Sequence, residues 1–251
     1  FLRNSDYMKA WLLDKEKTIS YLQSRQKLSR QQVFLNNLIK KNFQNIKNAK
    51  IADIACGAGW STIHLAKEFG IKQASLYDLS SIALKLAVDN IKESEMDKVD
   101  IFHEDISNPY WICKYEYDLI INLMSLSWVE NPFEFLRNMI YSLSTSGTLI
   151  ISTLVNRWHP NIDLKVLQKD NSRKGEYKLN IFSEFTIKEY LKKIKGEYSL
   201  NIHPFNIDQE LKKPSDKGMG TYTLNCNDEF IEISGGLLYQ WGFIEIKCLE
   251  K

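Results

Sequence analysis

The sequence lacks the features that mark zinc-binding, disulfide-rich or membrane proteins. Its four cysteines, Cys56, Cys113, Cys226 and Cys248, are widely spaced, with no C-x-x-C pair and no histidine at ligand spacing. This pattern argues against a metal site and against a disulfide framework. No apolar run approaches the roughly 18–20 residues that span a bilayer, so we expect no membrane partner. The amino-terminal residues also lack the apolar segment of a secretory signal, which predicts a cytoplasmic protein.

The chain also lacks a strong net charge. Its 33 Lys and Arg residues nearly balance its 31 Asp and Glu residues, leaving a formal net charge of +2. A surface dedicated to nucleic acid is usually strongly basic, so we expect no nucleic-acid partner. A hydrophobic content of 44% and a charged content of 25% are ordinary for a globular protein. The 251 residues therefore fit one large domain, or one domain with a sizeable insertion.

Short apolar runs alternate with amphipathic stretches between residues 51 and 154. This alternation is typical of β-α-β units and predicts an α/β fold with a doubly wound, mostly parallel sheet. Strands are predicted at residues 49–55, 74–77, 99–102, 117–123 and 148–154. Helices are predicted at residues 60–69, from Ser80 or Ser81 onwards, and from Asn131-Pro132 to Leu143.

The segments that flank this core are also assigned. Residues 6–43 predict two helices, the second with Val33, Leu35, Leu38 and Ile39 facing inward, within a helical cap over residues 1–48. Residues 49–251 are predicted to form the α/β domain, with a less regular inserted segment on the substrate side at about 155–183 and a β addition at about 208–240. A further helix is predicted at residues 183–198, a loop at 212–220, and strands at 200–207, 221–226, 230–234 and 242–248.

The first predicted strand runs into a glycine turn, Asp53-Ile54-Ala55-Cys56-Gly57-Ala58-Gly59, and a helix begins directly after it. Glycines let the backbone approach a ligand, and the helix N-terminus offers unpaired N–H groups. Such a turn alone is compatible with NAD, FAD or another nucleotide. The dinucleotide fingerprint requires a small residue three positions after the second glycine, where this chain has Thr62. The turn therefore suits a ligand without a diphosphate better than NAD.

Three acids lie at the carboxyl ends of consecutive predicted strands. Asp53 lies beside the turn, where a carboxylate repels phosphate and attracts a cationic ammonium or sulfonium group. Asp78 ends the second strand and can accept hydrogen bonds from both hydroxyls of a ribose. Asp105 ends the third strand and can accept a hydrogen bond from an adenine amino group, with Ile106 packing on the ring. Ligands bind at this edge of doubly wound sheets, so the sequence predicts a site there.

The glycine turn, the acids and the run that ends in Asn122 together resemble the class I S-adenosylmethionine-dependent methyltransferase family. The resemblance covers residues 51–154 and rests on Asp53-x-x-x-Gly57-x-Gly59, Asp78, Asp105 and Tyr117-Asp118-Leu119-Ile120-Ile121-Asn122. It implies a Rossmann-like, seven-stranded sheet with N-terminal helices and a C-terminal β addition. It also implies that the cofactor is S-adenosylmethionine.

The family resemblance assigns a part of the cofactor to each matching residue. It implies that the turn that includes Ala55, Gly57 and Gly59 binds the methionine moiety with the help of Asp53, and that Asn122 lies under this moiety. It implies that Asp78 binds the ribose and that Leu79 lies beside the adenine. The adenine itself is implied to be bound by Asp105 and Ile106.

Methyl transfer is an in-line displacement, so placement supplies much of the catalysis, although an oxygen or nitrogen nucleophile can also need a base. His159, in Asn156-Arg157-Trp158-His159-Pro160, follows the fifth strand at the ligand edge of the sheet and is the candidate base. Arg157 is a candidate to pair with a carboxylate or phosphate of the substrate. A solvated loop histidine and a surface salt bridge are the alternatives. Among the other histidines, His64 and His103 are interpreted as packing or structural residues, and His203 is left without a role.

Several aromatic residues are candidates for contacts with the substrate. Tyr7, Trp11, Tyr21 and Trp128 form either an aromatic lid over the cofactor or part of the core, and Tyr21 and Trp128 are the candidate substrate contacts. Residues 126–129 resemble the Ser/Leu-x-Trp stretch that follows the fourth strand in small-molecule members of the family. Residues 220–223 and 234–238 resemble bacterial methyltransferases that act on sugars, glycans or secondary metabolites.

The predicted function is S-adenosylmethionine-dependent methyl transfer to an oxygen or nitrogen of a small molecule, such as a sugar, a glycan precursor or a secondary metabolite. An RNA or protein methyltransferase is the first alternative. The near-neutral charge argues against it, and so does Asn122-Leu123-Met124-Ser125, which lacks the Pro-Pro-aromatic motif of base and glutamine methylation. A non-catalytic partner subunit that binds the cofactor is the second. An NAD-dependent dehydrogenase is the third, and Asp53 and Thr62 disfavour it.

Overall fold

The structure is a computed structural model that describes residues 15–156, 161–170, 173–207, 209–212, 221–227, 229–234, 237–238 and 240–250. Tyr7, Trp11, Arg157 and His159 lie outside the described residues, as does nearly all of the loop predicted at 212–220. The helices are α1 (Lys15–Ser24), α2 (Arg30–Asn42), α3 (Trp60–Phe69), α4 (Ser81–Lys92), α5 (Pro132–Tyr141) and α6 (Glu184–Leu191), with a 3-10 helix at Leu126–Trp128.

The strands complete the alternation that the sequence predicts. They are β1 (Ile51–Ile54), β2 (Gln73–Asp78), β3 (Lys98–His103), β4 (Tyr117–Leu123), β5 (Leu143–Asn156), β6 (Ile162–Asp170), β7 (Arg173–Ser183), β8 (Glu197–Pro204), β9 (Thr221–Cys226), β10 (Glu229–Ser234), β11 (Leu237–Leu238) and β12 (Gln240–Glu250). Among the described residues, no helix is long and apolar enough to cross a membrane.

One mixed sheet of nine strands lies at the centre of the described part of the chain. Its main path is β3-β2-β1-β4-β5-β12-β8, and β7 pairs with β5 while β6 pairs with β7. The strands β1 to β5 pair in parallel, whereas β12 is antiparallel to both β5 and β8. The strand order reverses between β1 and β4, which confirms the predicted doubly wound sheet. Sheets of this kind bind ligands beside such a reversal.

The central strands are apolar along their length because helices cover both faces of the sheet. On one face, α2 and α3 pack onto the sheet through Leu35, Ile39 and Leu65, against Ile51, Leu119 and Ile121. On the other face, α5 and α6 pack through Phe135, Met139 and Ile187, against Ile120, Leu149 and Ile151. This three-layer arrangement buries the strands and leaves their carboxyl ends as the place where polar side chains converge.

A separate antiparallel sheet, in the order β11-β10-β9, forms the predicted C-terminal β addition. The buried carboxylate of Glu232 on β10 connects it to neighbouring segments by accepting hydrogen bonds from the backbone N–H groups of Ile207 (3.2 Å) and Trp241 (3.0 Å). Burial raises the pKa of Glu232, and the two backbone hydrogen bonds oppose this shift. The addition is therefore fixed to the segment after β8 and to the start of β12.

Two predicted helices end earlier than the sequence suggests. The helix predicted to reach Leu143 ends at Tyr141, because Leu143 already pairs with Tyr117 as the first residue of β5. The helix predicted over residues 183–198 ends at Leu191, because Tyr198 pairs with Cys248 of β12. In both cases the last residue of the predicted helix pairs with a neighbouring strand instead.

The segment predicted as irregular at about 155–183 is the β6–β7 hairpin, so that prediction is wrong. Its first strand begins Ile162-Asp163-Leu164-Lys165-Val166, an alternation that is itself a strand pattern.

The inward face of α2 also differs from the prediction. Val33 is 42% exposed, whereas Gln32 and Asn36 are buried, and Gln32 Nε2 donates to Asn36 Oδ1 over 3.0 Å. The hydrogen bond between these amides satisfies polar groups that would otherwise make burial unfavourable.

Candidate cofactor site

The turn between β1 and α3 is built from left-handed backbone. Ala55, Gly57 and Gly59 have φ angles of 57°, 56° and 76°. Glycine adopts this conformation freely, but a left-handed alanine costs about 1–2 kcal/mol. The Cys56 N–H donates to the Tyr77 carbonyl over 3.0 Å, which holds the turn against the end of β2. Strain at a residue such as Ala55 persists only in a tightly held segment and is typical of ligand sites.

Asp53 is buried beneath this turn. It is 2% exposed, and Thr62 Oγ1 donates to its Oδ2 over 2.8 Å. Burial raises the pKa of Asp53 to about 7, the Thr62 hydrogen bond opposes the rise, and the charge of Asp78 adds to it. Two carboxyls that disfavour each other's ionised form create a region where a cation is stabilising.

Asp78 connects the turn to the next helix. Its Oδ2 accepts a hydrogen bond from the Gly57 N–H over 2.8 Å, and its Oδ1 accepts one from the Ser80 N–H over 2.8 Å. Burial raises its pKa, and both backbone hydrogen bonds oppose the rise. Each carboxylate oxygen has a second acceptor position, so Asp78 can still accept hydrogen bonds from ligand hydroxyls.

The end of β3 is fixed to the end of β2 and to its own loop. His103 Nε2 lies 2.8 Å from the Leu79 carbonyl oxygen, which gives His103 the structural role predicted for it. Asp105 Oδ1 accepts hydrogen bonds from the N–H (2.9 Å) and the hydroxyl (2.6 Å) of Ser107. The acid at this strand end therefore shapes the loop as well as the edge of the sheet.

Ile106 lies deeper than a residue at the rim of a site. Its side chain is 4% exposed and belongs to the main apolar core. Asn138 on α5 holds the loop from behind, donating from Nδ2 to the carbonyls of Ile106 (2.7 Å) and Asn108 (2.9 Å). The backbone around Asp105 is thus positioned by a helix outside the predicted motif.

Asn122 joins the ends of β1 and β4. It is fully buried, and its Nδ2 donates to the Ile54 carbonyl (2.8 Å) and to Ser125 Oγ (2.5 Å). Among the described residues, its Oδ1 is buried with no hydrogen-bond partner. Two residues later, Met124 has a left-handed φ of 64°. A buried acceptor without a partner fits a ligand that brings a donor, such as an ammonium group.

The helix α1 covers the glycine turn. Leu22 packs against Ala58 and Ala83, and a Cβ placed on Gly57 would lie 3.0 Å from Leu22 Cδ2. One turn further on, Arg25 Nη2 lies 3.3 Å from Met124 Sδ, so α1 reaches from the turn to the end of β4. No site role is predicted from the sequence for Leu22 or Arg25, because neither residue belongs to a recognised motif.

The predicted substrate residues lie in two different places. Tyr21 is 37% exposed on α1, and its hydroxyl contacts Arg25. Trp128, in the 3-10 helix after β4, packs in an apolar cluster with Leu154, Leu179, Ile181 and Trp241. Tyr21 therefore lies beside Arg25 and Trp128 packs against core residues, while Arg157 and His159 stay predictions outside the described residues.

The fold and the comparisons place the chain among the class I S-adenosylmethionine-dependent methyltransferases. The sequence matches the family model described as "Methyltransferase domain" over residues 25–194. This match covers more than half of the chain, and the protein belongs to that family.

Two curated relatives share about a quarter of their residues with this chain. A malonyl-[acyl-carrier protein] O-methyltransferase of Bacillus cereus is 25% identical over 159 residues, which cover 62% of this chain and 56% of the relative. A ubiquinone biosynthesis O-methyltransferase of Rickettsia bellii is 27% identical over 200 residues, which cover 78% of this chain and 68% of the relative. The chain thus spans only part of the length of either protein.

A solved structure shows the same fold. The S-adenosylmethionine-dependent methyltransferase from Clostridium acetobutylicum superposes with a TM-score of 0.55 at 16% identity, covering 86% of this chain and 90% of its own. At this identity the likeness supports the Rossmann-like architecture and not a particular reaction.

Proposed function

We propose that the protein transfers the methyl group of S-adenosylmethionine to an oxygen of a small molecule or of a small acyl group linked to a carrier. The observation that carries the cofactor half of this proposal is the pair of carboxyls around a left-handed glycine turn, buried Asp53 and half-buried Asp78. A diphosphate would be repelled here, whereas a cationic ligand relieves the repulsion between the two acids.

The proposed cofactor contacts follow the edge of the sheet. Asp78 accepts hydrogen bonds from the ribose, Asp53 and the unpartnered Oδ1 of Asn122 lie toward the ammonium group, and the turn from Ala55 to Gly59 lies along the methionine portion. Leu79, Asp105 and Ile106 are assigned to the adenine. Because Ile106 is buried, we assign it mainly the role of holding the loop in the shape that receives the adenine, and not that of a large exposed contact surface.

Bound S-adenosylmethionine supplies a methyl carbon that its sulfonium already activates. The contribution proposed for the chain is placement, since aligned reactants avoid much of the entropic barrier of a bimolecular displacement. His159 stays the proposed base for an acceptor that must lose a proton. An acceptor that is already ionised, such as a carboxylate, would need no such base.

The oxygen acceptor is supported by the two curated relatives, both of which are O-methyltransferases by name. One acts on a malonyl group attached to an acyl-carrier protein, and the other acts in ubiquinone biosynthesis. A sugar, a glycan precursor or a secondary metabolite remains within this proposal. An amine acceptor is the alternative that the chemistry of the site leaves open.

Calorimetry and a transfer assay test the proposal in sequence. We expect S-adenosylhomocysteine to bind and NAD not to bind; binding of NAD alone would overturn the cofactor assignment. Transfer of a labelled methyl group is then measured with carboxylates, phenols, nucleotide-linked sugars, phosphorylated metabolites and amines, free and carrier-linked. Label on an amine and not on any oxygen acceptor would contradict the acceptor proposal. Cofactor binding without transfer to any of them would favour a non-catalytic partner subunit.

A further inference from the structure

The loop between β3 and β4 presents large apolar side chains to solvent. Tyr110 and Ile112 are 88% and 84% exposed, and Tyr115 in the same loop is also exposed. Among the described residues, no other large apolar side chain is exposed to the same degree as the first two. We call these three residues the 110–115 patch. Apolar residues that are exposed together on a globular protein mark a surface where another molecule binds.

The loop that carries the patch is held in place by its other residues. Trp111 lies between the two most exposed side chains, and its Nε1 donates to Glu104 Oε2 over 2.5 Å. Its ring packs edge-on against the buried Tyr77, with the ring centroids 5.9 Å apart. On the side of α5, Arg137 Nη2 donates to the Pro109 carbonyl over 3.0 Å. A segment fixed in this way loses little conformational freedom when it binds, which favours a docking surface.

The patch lies beside an open edge of the main sheet. β3 is the last strand on its side, and among the described strands it pairs only with β2. Tyr115 contacts Phe102 of β3, with the ring centroids 6.2 Å apart, so the patch and the open edge are neighbours. The unpaired edge of a strand exposes backbone N–H and C=O groups that a second strand can bind. Apolar side chains next to such an edge are therefore suited to contact with another protein chain.

The charges beside the patch indicate which protein chain fits it. Three pairs of opposite charge lie there: Lys98 with Asp100 on β3, Glu134 with Arg137 on α5, and Lys114 with Glu116 in the loop. The first two are ion pairs, at 3.8 Å and 2.6 Å. Because each cation has an anion close to it, a strongly acidic or strongly basic partner would gain little. A rim that carries both signs is instead complementary to a second copy of itself across a two-fold axis.

We propose that the 110–115 patch and the edge of β3 form the interface of a homodimer. A second copy of this chain binds through the same surface, related by a two-fold axis. The apolar side chains lie at the centre of the interface and the paired charges at its rim, the usual arrangement of protein interfaces. This inference does not depend on the proposed function, because it needs neither the cofactor nor an acceptor.

Sedimentation velocity of the full chain, from micromolar to millimolar concentration, tests the proposal. We expect the unmodified protein to change from monomer to dimer as the concentration rises. Ile112→Glu introduces a charge at the centre of the interface twice, once from each copy, and should raise the dissociation constant of the dimer at least about tenfold. Tyr110→Ser should also raise it. Both side chains are exposed in the monomer, so urea unfolding should show that the variants fold.

Phe185→Glu is the matched control, because Phe185 is a 71% exposed apolar residue on α6, outside the patch. It should dimerise as the unmodified protein does. Hydrogen exchange adds a second measurement: the amides of residues 98–103 and 110–116 should become more protected at higher concentration in the control, and not in Ile112→Glu. A monomer at every concentration would leave the patch to a different protein and overturn the inference. A dimer that Ile112→Glu and the control form equally well would also overturn it.

Discussion

Asp78 accepts a hydrogen bond from the backbone N–H of Gly57 over 2.8 Å, so an acid at the end of β2 fixes the turn that follows β1. The sequence assigns Asp78 to a ligand, and the structure shows that the same carboxylate also organises the protein. Loss of this side chain is therefore expected to weaken cofactor binding in two ways: it removes a contact with the cofactor, and it releases the turn that follows β1.

Asp78→Ala is expected to weaken binding of S-adenosylhomocysteine by roughly 1–3 kcal/mol, the loss for hydrogen bonds to a charged group. Asp78→Asn should lose less, because its remaining oxygen can still accept the Gly57 N–H. Calorimetry on both variants measures the difference. Asp89→Ala, which removes an exposed acid from α4, is the control and should bind as the unmodified protein does. Equal affinity of Asp78→Ala and the control would remove Asp78 from the site.

The pKa of Asp53 makes cofactor binding depend on pH. Since burial raises this pKa to about 7, the carboxylate that attracts a cation forms only as the pH rises through that value. The affinity for S-adenosylmethionine should therefore rise with pH, by at most about tenfold per pH unit for one proton. Thr62→Val removes a hydrogen bond that lowers the pKa of Asp53, so it should move the midpoint to higher pH.

Asp53→Asn separates this effect from that of Asp78, whose pKa is also raised by burial. The variant should bind S-adenosylmethionine with an affinity that changes little with pH below 7. If Asp78 were the group that titrates, the affinity of the variant would still rise with pH. Calorimetry in buffers of different ionisation enthalpy measures the proton released.

The same pKa shift has the opposite effect on the stability of the free protein. A carboxyl whose pKa is raised by folding binds more protons in the folded state, so its contribution to stability is present at low pH and is lost as the pH rises through about 7. Between about pH 5 and pH 8, the free energy of unfolding should fall further in the unmodified protein than in Asp53→Asn. Urea unfolding at both pH values measures this, and parallel falls would contradict the assignment.

Asn122 is expected to matter for stability before it matters for binding. Asn122→Ala leaves the buried Ile54 carbonyl without its donor and should lower the free energy of unfolding by about 1–3 kcal/mol. Ser125→Ala removes only the second partner of the same amide and should lower it less. Urea unfolding measures the free energy of unfolding of both variants. Equal decreases would show that the hydrogen bond to Ile54 contributes no more to stability than the one to Ser125.

His159 stays the predicted base. His159→Ala should lower turnover by roughly 10²–10⁴-fold, the usual contribution of a general base, and leave the affinity for S-adenosylhomocysteine unchanged. His203→Gln removes a histidine that faces Glu245 on β12 at 3.6 Å and serves as the comparison. Turnover of His159→Ala equal to that of the comparison would exclude a proton-transfer role for His159.

The central fold could be predicted because its signals are local. The helix from Trp60 to Phe69 and the strand from Tyr117 to Leu123 have the predicted bounds. The helix ends at Gly70, whose left-handed φ of 69° suits glycine, and the strand is apolar because both of its faces are covered. In both elements, residues within or next to the element determine its local structure.

The parts that could not be predicted depend on partners distant in the sequence. The β6–β7 hairpin extends the sheet through its second strand, which pairs with Val155 and Asn156 of β5. The buried pair Gln32 and Asn36 is acceptable only because the two amides bind each other. The Glu232 carboxylate is buried because two backbone N–H groups from other segments meet it. Nothing in the local pattern indicates these pairings.

The site shows the same division. The positions of Asp53, Asp78 and Asn122 at strand ends follow from the strand pattern, which is why the sequence could indicate them. Their hydrogen bonds to Thr62, Gly57 and Ile54 depend on how neighbouring segments pack. Arg25 belongs to no sequence motif. It lies near the end of β4 because α1 packs over the glycine turn that follows β1.

The position of β12 has a consequence for how the chain folds during its synthesis. β12 follows β8 in the sequence, yet it lies between β5 and β8 in the sheet. Until β12 has left the ribosome, β5 and β8 each present an unpaired edge, and such edges invite pairing with other chains. The nascent protein is therefore most exposed to aggregation, and most dependent on chaperones, in the interval between the synthesis of β8 and that of β12.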